Sequence, residues 1–154
     1  MKMLFTAAAL SFAFVSASAS AANFTEKDAI AMNERGVALI KSQGKDALIK
    51  AINDKHPDFS QGNGELYIDI RDLKTGILIA HPNKTIVGKD LTDVPDANGK
   101  VYRREIMEVA ATKGKGWVSY MYRNPVSKAL EPKITHIVRV DDVILETGIY
   151  KKPD

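Results

Sequence analysis

Two hydrophobic periodicities, helical in the first third of this chain and two-residue after it, restrict its fold more than any single motif does. Helical spacing begins at residue 25, where Thr25 is placed to cap a first turn with Asp28 three residues on, and Ala29, Met32, Gly36, Val37 and Ile40 follow. Gly44-Lys45-Asp46 interrupts the pattern, and Ala47, Leu48, Ile49, Ala51 and Ile52 resume it until Pro57. One or two helices are therefore predicted over 25–54. After the turn residues Gln61-Gly62-Asn63-Gly64, Leu66, Ile68 and Ile70 alternate with Tyr67, Asp69 and Arg71, which is strand spacing. Lys74-Thr75-Gly76 leads into a second short strand over 77–80, so the two form an antiparallel hairpin.

Residues 82–99 are rich in Pro, Gly, Asn and Asp and read as a long loop crossing the sheet, a natural pocket wall. Helical spacing returns over 102–112 through Ile106, Val109 and Ala110, and Gly114-Lys115-Gly116 ends it. A third strand is expected over 117–123. Two β-branched runs, 133–140 and 143–150, flank the two-residue turn Asp141-Asp142. This order is α+β: a five-stranded antiparallel sheet with a long N-terminal helix and a layer made of a short helix and a loop.

The first 22 residues read as a secretory signal peptide, with Lys2, an apolar run over 3–15 and two small-x-small sites, Ala17-Ser18-Ala19 and Ala19-Ser20-Ala21. Cleavage after residue 19, 21 or 22 fits equally well. The apolar run is shorter than the roughly 20 residues a spanning helix needs, and a retained anchor is the alternative to cleavage. Residues 23–154, about 130 in number, suit one domain. The expectation is a soluble protein of the periplasm or the exterior. Losing Lys2 takes the formal charge from +3 to about +2, dispersed along the chain, which argues against nucleic-acid binding. There is no Cys, so disulfides, thiolate metal sites and a lipid-bearing Cys are excluded.

From about residue 64 to 150 the chain resembles the single Cache domain, the PAS-like extracellular sensor of bacterial chemoreceptors and histidine kinases. The matching parts, in order, are Ile70-Arg71-Asp72-Leu73-Lys74-Thr75-Gly76, Ala80-His81-Pro82, Val87-Gly88-Lys89-Asp90-Leu91, Asp96-Ala97-Asn98-Gly99-Lys100, and Gly116-Trp117 through Tyr120, Tyr122 and Asn124-Pro125. The resemblance implies a pocket between the sheet and the helix-plus-loop layer that holds a small carboxylate such as acetate, propionate, pyruvate or lactate. It also implies a role in signal transduction and chemotaxis; with no output domain expected in the sequence, the domain either acts through a membrane receptor or kinase partner or simply binds and delivers its ligand.

A small carboxylate asks for charge-assisted donors and a short apolar wall. Lys133, at a predicted strand start after Pro132, can supply the counter-charge or be a solvated strand-end lysine. The Glu131-Pro132-Lys133 placement resembles the family's and favours the pocket role. His81 can donate at the pocket rim or bond loop backbone, and alternation groups it with Ile77 and Ile79. Tyr120 and Tyr122 share a strand face, whereas Trp117 falls with Ser119 and Met121 and reads as core or pocket floor. On the short helix Arg103 and Met107 share a face beside Tyr102, and Arg103 is either a carboxylate clamp or a surface partner of Glu105 or Glu108. Tyr67 completes the candidates. Asp69 projects with it, and an inward Asp69 would favour an amine-bearing or protonatable ligand instead.

No metal site or cofactor is expected, since His56, His81 and His136 lie in separate elements. Asp96-Ala97-Asn98-Gly99 with Glu105 would put Val94 at the first ligand position of a calcium loop, so a turn explains it better. Phosphate-loop spacing and a Gly-x-Ser-x-Gly elbow are both missing. The leading expectation is thus a non-enzymatic sensor-type binder. Its alternatives are an accessory protein without a ligand, dimerising through the N-terminal helix where Gly36 and Ala38 permit close approach, and a small hydrolytic enzyme.

Overall fold

The computed structural model describes residues 23–151, and the predicted signal peptide lies outside them. Two helices, α1 (Glu26–Gln43) and α2 (Lys45–Asn53), are separated at Gly44, whose φ of 88° breaks the helix where a side chain would be strained. The Asp28 carboxylate accepts hydrogen bonds from the backbone N–H and the hydroxyl of Thr25, both at 2.7 Å, and so anchors the start of α1.

The sheet contains β1 (Ser60–Gln61), β2 (Leu66–Asp72), β3 (Leu78–Ala80), β4 (Lys115–Arg123), β5 (Leu130–Val140) and β6 (Val143–Tyr150). All pairings are antiparallel in the order β1-β2-β6-β5-β4, with β3 also on β2. The sixth strand is the two-residue β1, in a segment without strand periodicity. Its pairing of Ser60 with Tyr67 and Gln61 with Leu66 creates it. The third helix, α3 (Tyr102–Lys113), ends at Gly114, whose φ of 72° is left-handed.

β5 begins at Leu130, earlier than the expected 133, and runs through Pro132. The Pro132 carbonyl accepts from Lys151 N–H at 2.8 Å, but proline has no N–H to return the bond. The ladder between β5 and β6 therefore closes at Lys133 and Tyr150, the last paired residues at that end.

Both faces of the sheet are covered, by different chemistry. Leu66, Ile68 and Ile70 of β2 join Val143, Leu145 and Ile149 of β6 in a core against Ala29 and Met32 of α1 and Leu48 and Ile52 of α2. On the opposite face Val118, Ile137 and Ile144 pack with Tyr102, Ile106 and Ala110 of α3, a smaller apolar cluster that leaves the rest of that face to polar groups. Gly36 is buried, and a Cβ there would come within 2.6 Å of Ile68 Cδ1. Its close approach is to the sheet, so it does not serve the helix pairing weighed for Gly36 and Ala38.

Asn33 of α1 is a polar pin through the first core. Its amide donates to the His136 carbonyl at 2.9 Å and lies 3.0 Å from His136 Nδ1, while its carbonyl accepts from the Thr147 hydroxyl at 2.8 Å. Since the amide nitrogen can only donate, Nδ1 of His136 is the acceptor and the ring is neutral. Asn33→Ala would strand these buried groups at about 1–3 kcal/mol each. Urea denaturation should show a loss of roughly 2–4 kcal/mol with an unchanged m-value.

Candidate ligand-binding site

Period-two alternation aims Tyr67, Asp69 and Arg71 of β2, Tyr120 and Tyr122 of β4, Lys133 and Thr135 of β5, and Glu146 and Tyr150 of β6 at the layer formed by α3 and residues 81–101. That layer is tied down at three points. Asn83 caps a one-turn 3-10 helix (Lys84–Ile86). The Asp96 carboxylate accepts from the N–H groups of Asn98, Lys100 and, on edge strand β4, Met121. Arg103 donates to the Val94 carbonyl at 2.9 Å. The Asp96 loop is therefore a turn that also holds the loop against the sheet edge.

Lys133 is only 3% exposed. Its Nζ donates to the Tyr67 hydroxyl at 2.9 Å and lies 4.1, 5.2 and 5.0 Å from the ring centres of Tyr67, Tyr122 and Tyr150. Among the described residues no carboxylate stands within ion-pair distance of it. Burial pushes its pKa down to about 8, against the pull of Asp69 and Glu146. The side chain crosses β6 at Gly148, where a Cβ would come within 2.4 Å of Lys133 Cε and of Thr135 Oγ1. Gly148 is thus a site residue that no sequence signal marked, because its role is the space it leaves.

His81 is buried beside this cage, its ring 5.0 Å from that of Tyr67 and edge-on to it. Its Nδ1 accepts from Asn83 N–H at 2.8 Å, so Nε2 carries the proton and faces Asp69 Oδ2 at 3.8 Å. Burial, reinforced by Lys133, pushes its pKa down to about 3. The predicted grouping of His81 with Ile77 and Ile79 is corrected. β3 ends at Ala80, and the register shifts between Ile70 and Arg71, so Leu78 and His81 line the site while Ile79 packs on the helix-side core.

Arg71 and Glu146 form a buried pair, with Nε to Oε1 at 2.5 Å and Nη2 to Oε2 at 3.1 Å, and a further Arg71 bond to the Gly76 carbonyl at 2.8 Å. Asp69 lies directly across the ladder from Glu146 and is 7% exposed. Among the described residues its Oδ1 has no hydrogen-bond partner, and burial followed by repulsion from Glu146 holds its pKa well above the usual carboxylate range.

Tyr102 stacks on Tyr120 at 3.8 Å with Arg103 over the Tyr102 ring at 4.3 Å, and the Tyr120 hydroxyl shares a hydrogen bond with Thr135. Arg103 is buried and bonds the Val94 carbonyl; its expected surface partners Glu105 and Glu108 are not its contacts. Met107 packs in the apolar cluster of α3, and its sulfur stands 2.6 Å from where a Cβ of Gly76 would be, so it braces the hairpin turn outside both cavities. Trp117, read as core or pocket floor, lies on the opposite sheet face against His136, at 4.8 Å, in the α1 core, because β4 has no bulge to bring it round.

Two cavities meet at Tyr67, His81 and Tyr122. The inner one, under α3 and lined also by Asp69, Arg71 and Arg103, is about 10 Å³, room for one water. The outer one is about 630 Å³ and opens between residues 60–64, Pro82-Asn83 and residues 122–125, with Tyr150 as a wall. The space expected between sheet and loop layer is thus largely filled by the tyrosine stack and the Arg71–Glu146 pair. The larger volume lies at the strand ends.

This architecture is shared with solved sensor domains. A periplasmic sensor domain of a chemotaxis protein matches with a TM-score of 0.64 at 23% identity over 82% of this chain and 90% of its own. A methyl-accepting chemotaxis protein from Vibrio parahaemolyticus matches with a TM-score of 0.66 at 24% identity over 80% and 86%. A Cache chemosensory domain described for its carboxylic acid recognition matches at 0.62 and 21% over 82% and 88%. The chain belongs to the single Cache domain 2 family, whose sequence profile matches residues 23–152.

A lysine whose pKa is lower folded than unfolded sheds its proton on folding, so its burial costs stability below about pH 8 and the cost vanishes as pH rises toward 10.5. The cost is on the order of 3 kcal/mol. Lys133→Met should unfold at pH 7.5 no more easily than the wild type, and should lack a wild-type gain of about 2 kcal/mol between pH 7.5 and 9.5, as read by urea denaturation. Gly148→Ala, which pushes on the lysine stem, should cost roughly 1–3 kcal/mol.

Proposed function

We propose that this protein is an exported, single-domain sensor that binds a small organic acid and passes the binding signal to a membrane receptor or kinase. The observation that carries the reading is Lys133: a buried ammonium caged by Tyr67, Tyr122 and Tyr150 with no ion-paired carboxylate among the described residues. A buried unpaired cation is retained against its stability cost when an anion is to occupy the space beside it. Carboxylic acid recognition in a chemosensory domain of the same fold supports this reading. The signal peptide over 1–22, cleaved on export to the periplasm or exterior, and a single binding domain over 23–154 complete it. No described helix is long and apolar enough to cross a membrane.

The volumes define how binding works. A carboxylate entering from the outer cavity meets Tyr67, His81 and Tyr122, and reaches Lys133 when these side chains and the loop over 81–101 move outward. That displacement is a conformational signal a partner can read. The alternative of an accessory protein without a ligand draws on one observation, the 10 Å³ inner cavity.

A thermal-shift screen against acetate, propionate, pyruvate and lactate separates the two readings. At about 100 times its dissociation constant the cognate acid should stabilise the protein by about 2.7 kcal/mol, and Lys133→Met should abolish the shift. No shift with any short acid would favour the accessory reading, and an undiminished shift in Lys133→Met would overturn Lys133 as the binding residue.

A further inference from the structure

Lys133 carries a chemistry that holding an anion does not use. Its Nζ lies 2.9 Å from the Tyr67 hydroxyl, among the rings of Tyr67, Tyr122 and Tyr150. Burial pushes all three phenols up, so the cage is un-ionised. Asp69, two residues from Tyr67 on the same face of β2, keeps its own proton, since burial and Glu146 across the ladder oppose its charge. Glu146 is engaged through both oxygens by the Arg71 guanidinium. Among the described residues no carboxylate pairs with Lys133, and burial brings its pKa to about 8. A lysine so placed is in part a free amine near neutral pH, and a free amine is a nucleophile.

The amine form selects a different ligand from the ammonium. It has no attraction for an anion, and the two arginines on this side of the sheet are committed, Arg71 to Glu146 and the Gly76 carbonyl, Arg103 to the Val94 carbonyl. What a neutral amine in an aromatic cage takes is a neutral electrophile. Tyr67, bonded to Nζ, lines both cavities, so one side chain stands between the amine and each of them. The inner cavity of about 10 Å³ restricts what can be seated with little displacement to a small carbonyl group, whose short alkyl chain would lie against the tyrosine rings.

We infer that Lys133 is a covalent capture site for short aliphatic aldehydes, which its Nζ binds reversibly as a Schiff base. The amine nitrogen adds to the carbonyl carbon, and one amine hydrogen passes to the carbonyl oxygen. The carbinolamine then loses that oxygen as water together with the second amine hydrogen, and a C=N bond remains. No oxidant or reductant is consumed. The Tyr67 hydroxyl, in contact with Nζ and un-ionised, relays these protons from nitrogen to oxygen. The capture needs the Lys133 cage but not the carboxylate reading above, and it extends the site from anions to uncharged carbonyl compounds.

Reductive trapping on the full chain tests this. Propanal with cyanoborohydride at about pH 7.5 converts a Schiff base to a stable secondary amine, and peptide mapping by mass spectrometry places it. Lys133 holds roughly a hundred-fold more free amine at that pH than a lysine of ordinary basicity. The propyl label should therefore reach it at least about ten-fold faster than it reaches the exposed Lys50, and urea should abolish the preference. Tyr67→Phe, which keeps the ring and removes the hydroxyl, should slow labelling of Lys133 by about ten-fold or more. Labelling of Lys133 no faster than that of Lys50, or a preference that persists in urea, would overturn the inference, and a rate undiminished in Tyr67→Phe would overturn the relay. Propionate separates this inference from the carboxylate reading. If it protects Lys133 from the label, both stand at one residue; if Lys133 labels rapidly and no short acid slows it, the aldehyde site stands and the carboxylate one falls. Acids that bind through Lys133 without any label there would leave the carboxylate reading and sink this one. The wild-type map decides the matter should Tyr67→Phe fold poorly.

Discussion

A sheet covered on both faces has no side free for incidental side chains, and this constraint organises the molecule. Each central strand must send alternate residues into two different environments. In β2 the Leu66, Ile68 and Ile70 positions meet the apolar sides of α1 and α2, while Tyr67, Asp69 and Arg71 meet the layer of α3 and residues 81–101. In β6 the same alternation sends Leu145 one way and Glu146 the other. A one-residue slip of β2 against β6 would put Asp69 and Arg71 into the helix core.

The two faces divide stability from recognition. The helix side holds the larger apolar core, which Asn33 fastens to His136 and Thr147. The other side concentrates ionisable groups at a cost in desolvation, offset by the Arg71–Glu146 pair, the Tyr67 hydroxyl and the tyrosine rings. Lys133 and Asp69 stay incompletely compensated, and Lys133 is the group on which the functional reading turns.

Much of the site was legible because it follows from strand parity. Tyr120 with Tyr122, and Tyr67 with Asp69, need only period two to be placed together. Parity also separated Trp117 from the tyrosines, and the structure sends it to the α1 face. His81 lines both cavities where Pro82 leads the chain into the loop, but alternation does not give its face, since it lies beyond the end of β3. Met107 and Arg103 share a helix face, yet one braces Gly76 and the other reaches Val94. Spacing within a helix does not say what lies opposite it.

The sequence by itself determined the elements other than β1, the α+β order, the turns at Asp72, Asp96 and Asn124, and which residues share a face within the longer strands, because all of these depend on neighbours a few positions away. Whether Lys133 points into solvent or into a tyrosine cage was decided only in three dimensions. So were the space that Gly148 leaves for its stem, the pairing of Glu146 with Arg71 that strands Asp69, and the filling of the space beneath α3. These depend on residues brought together from distant parts of the chain, and no local pattern records that meeting.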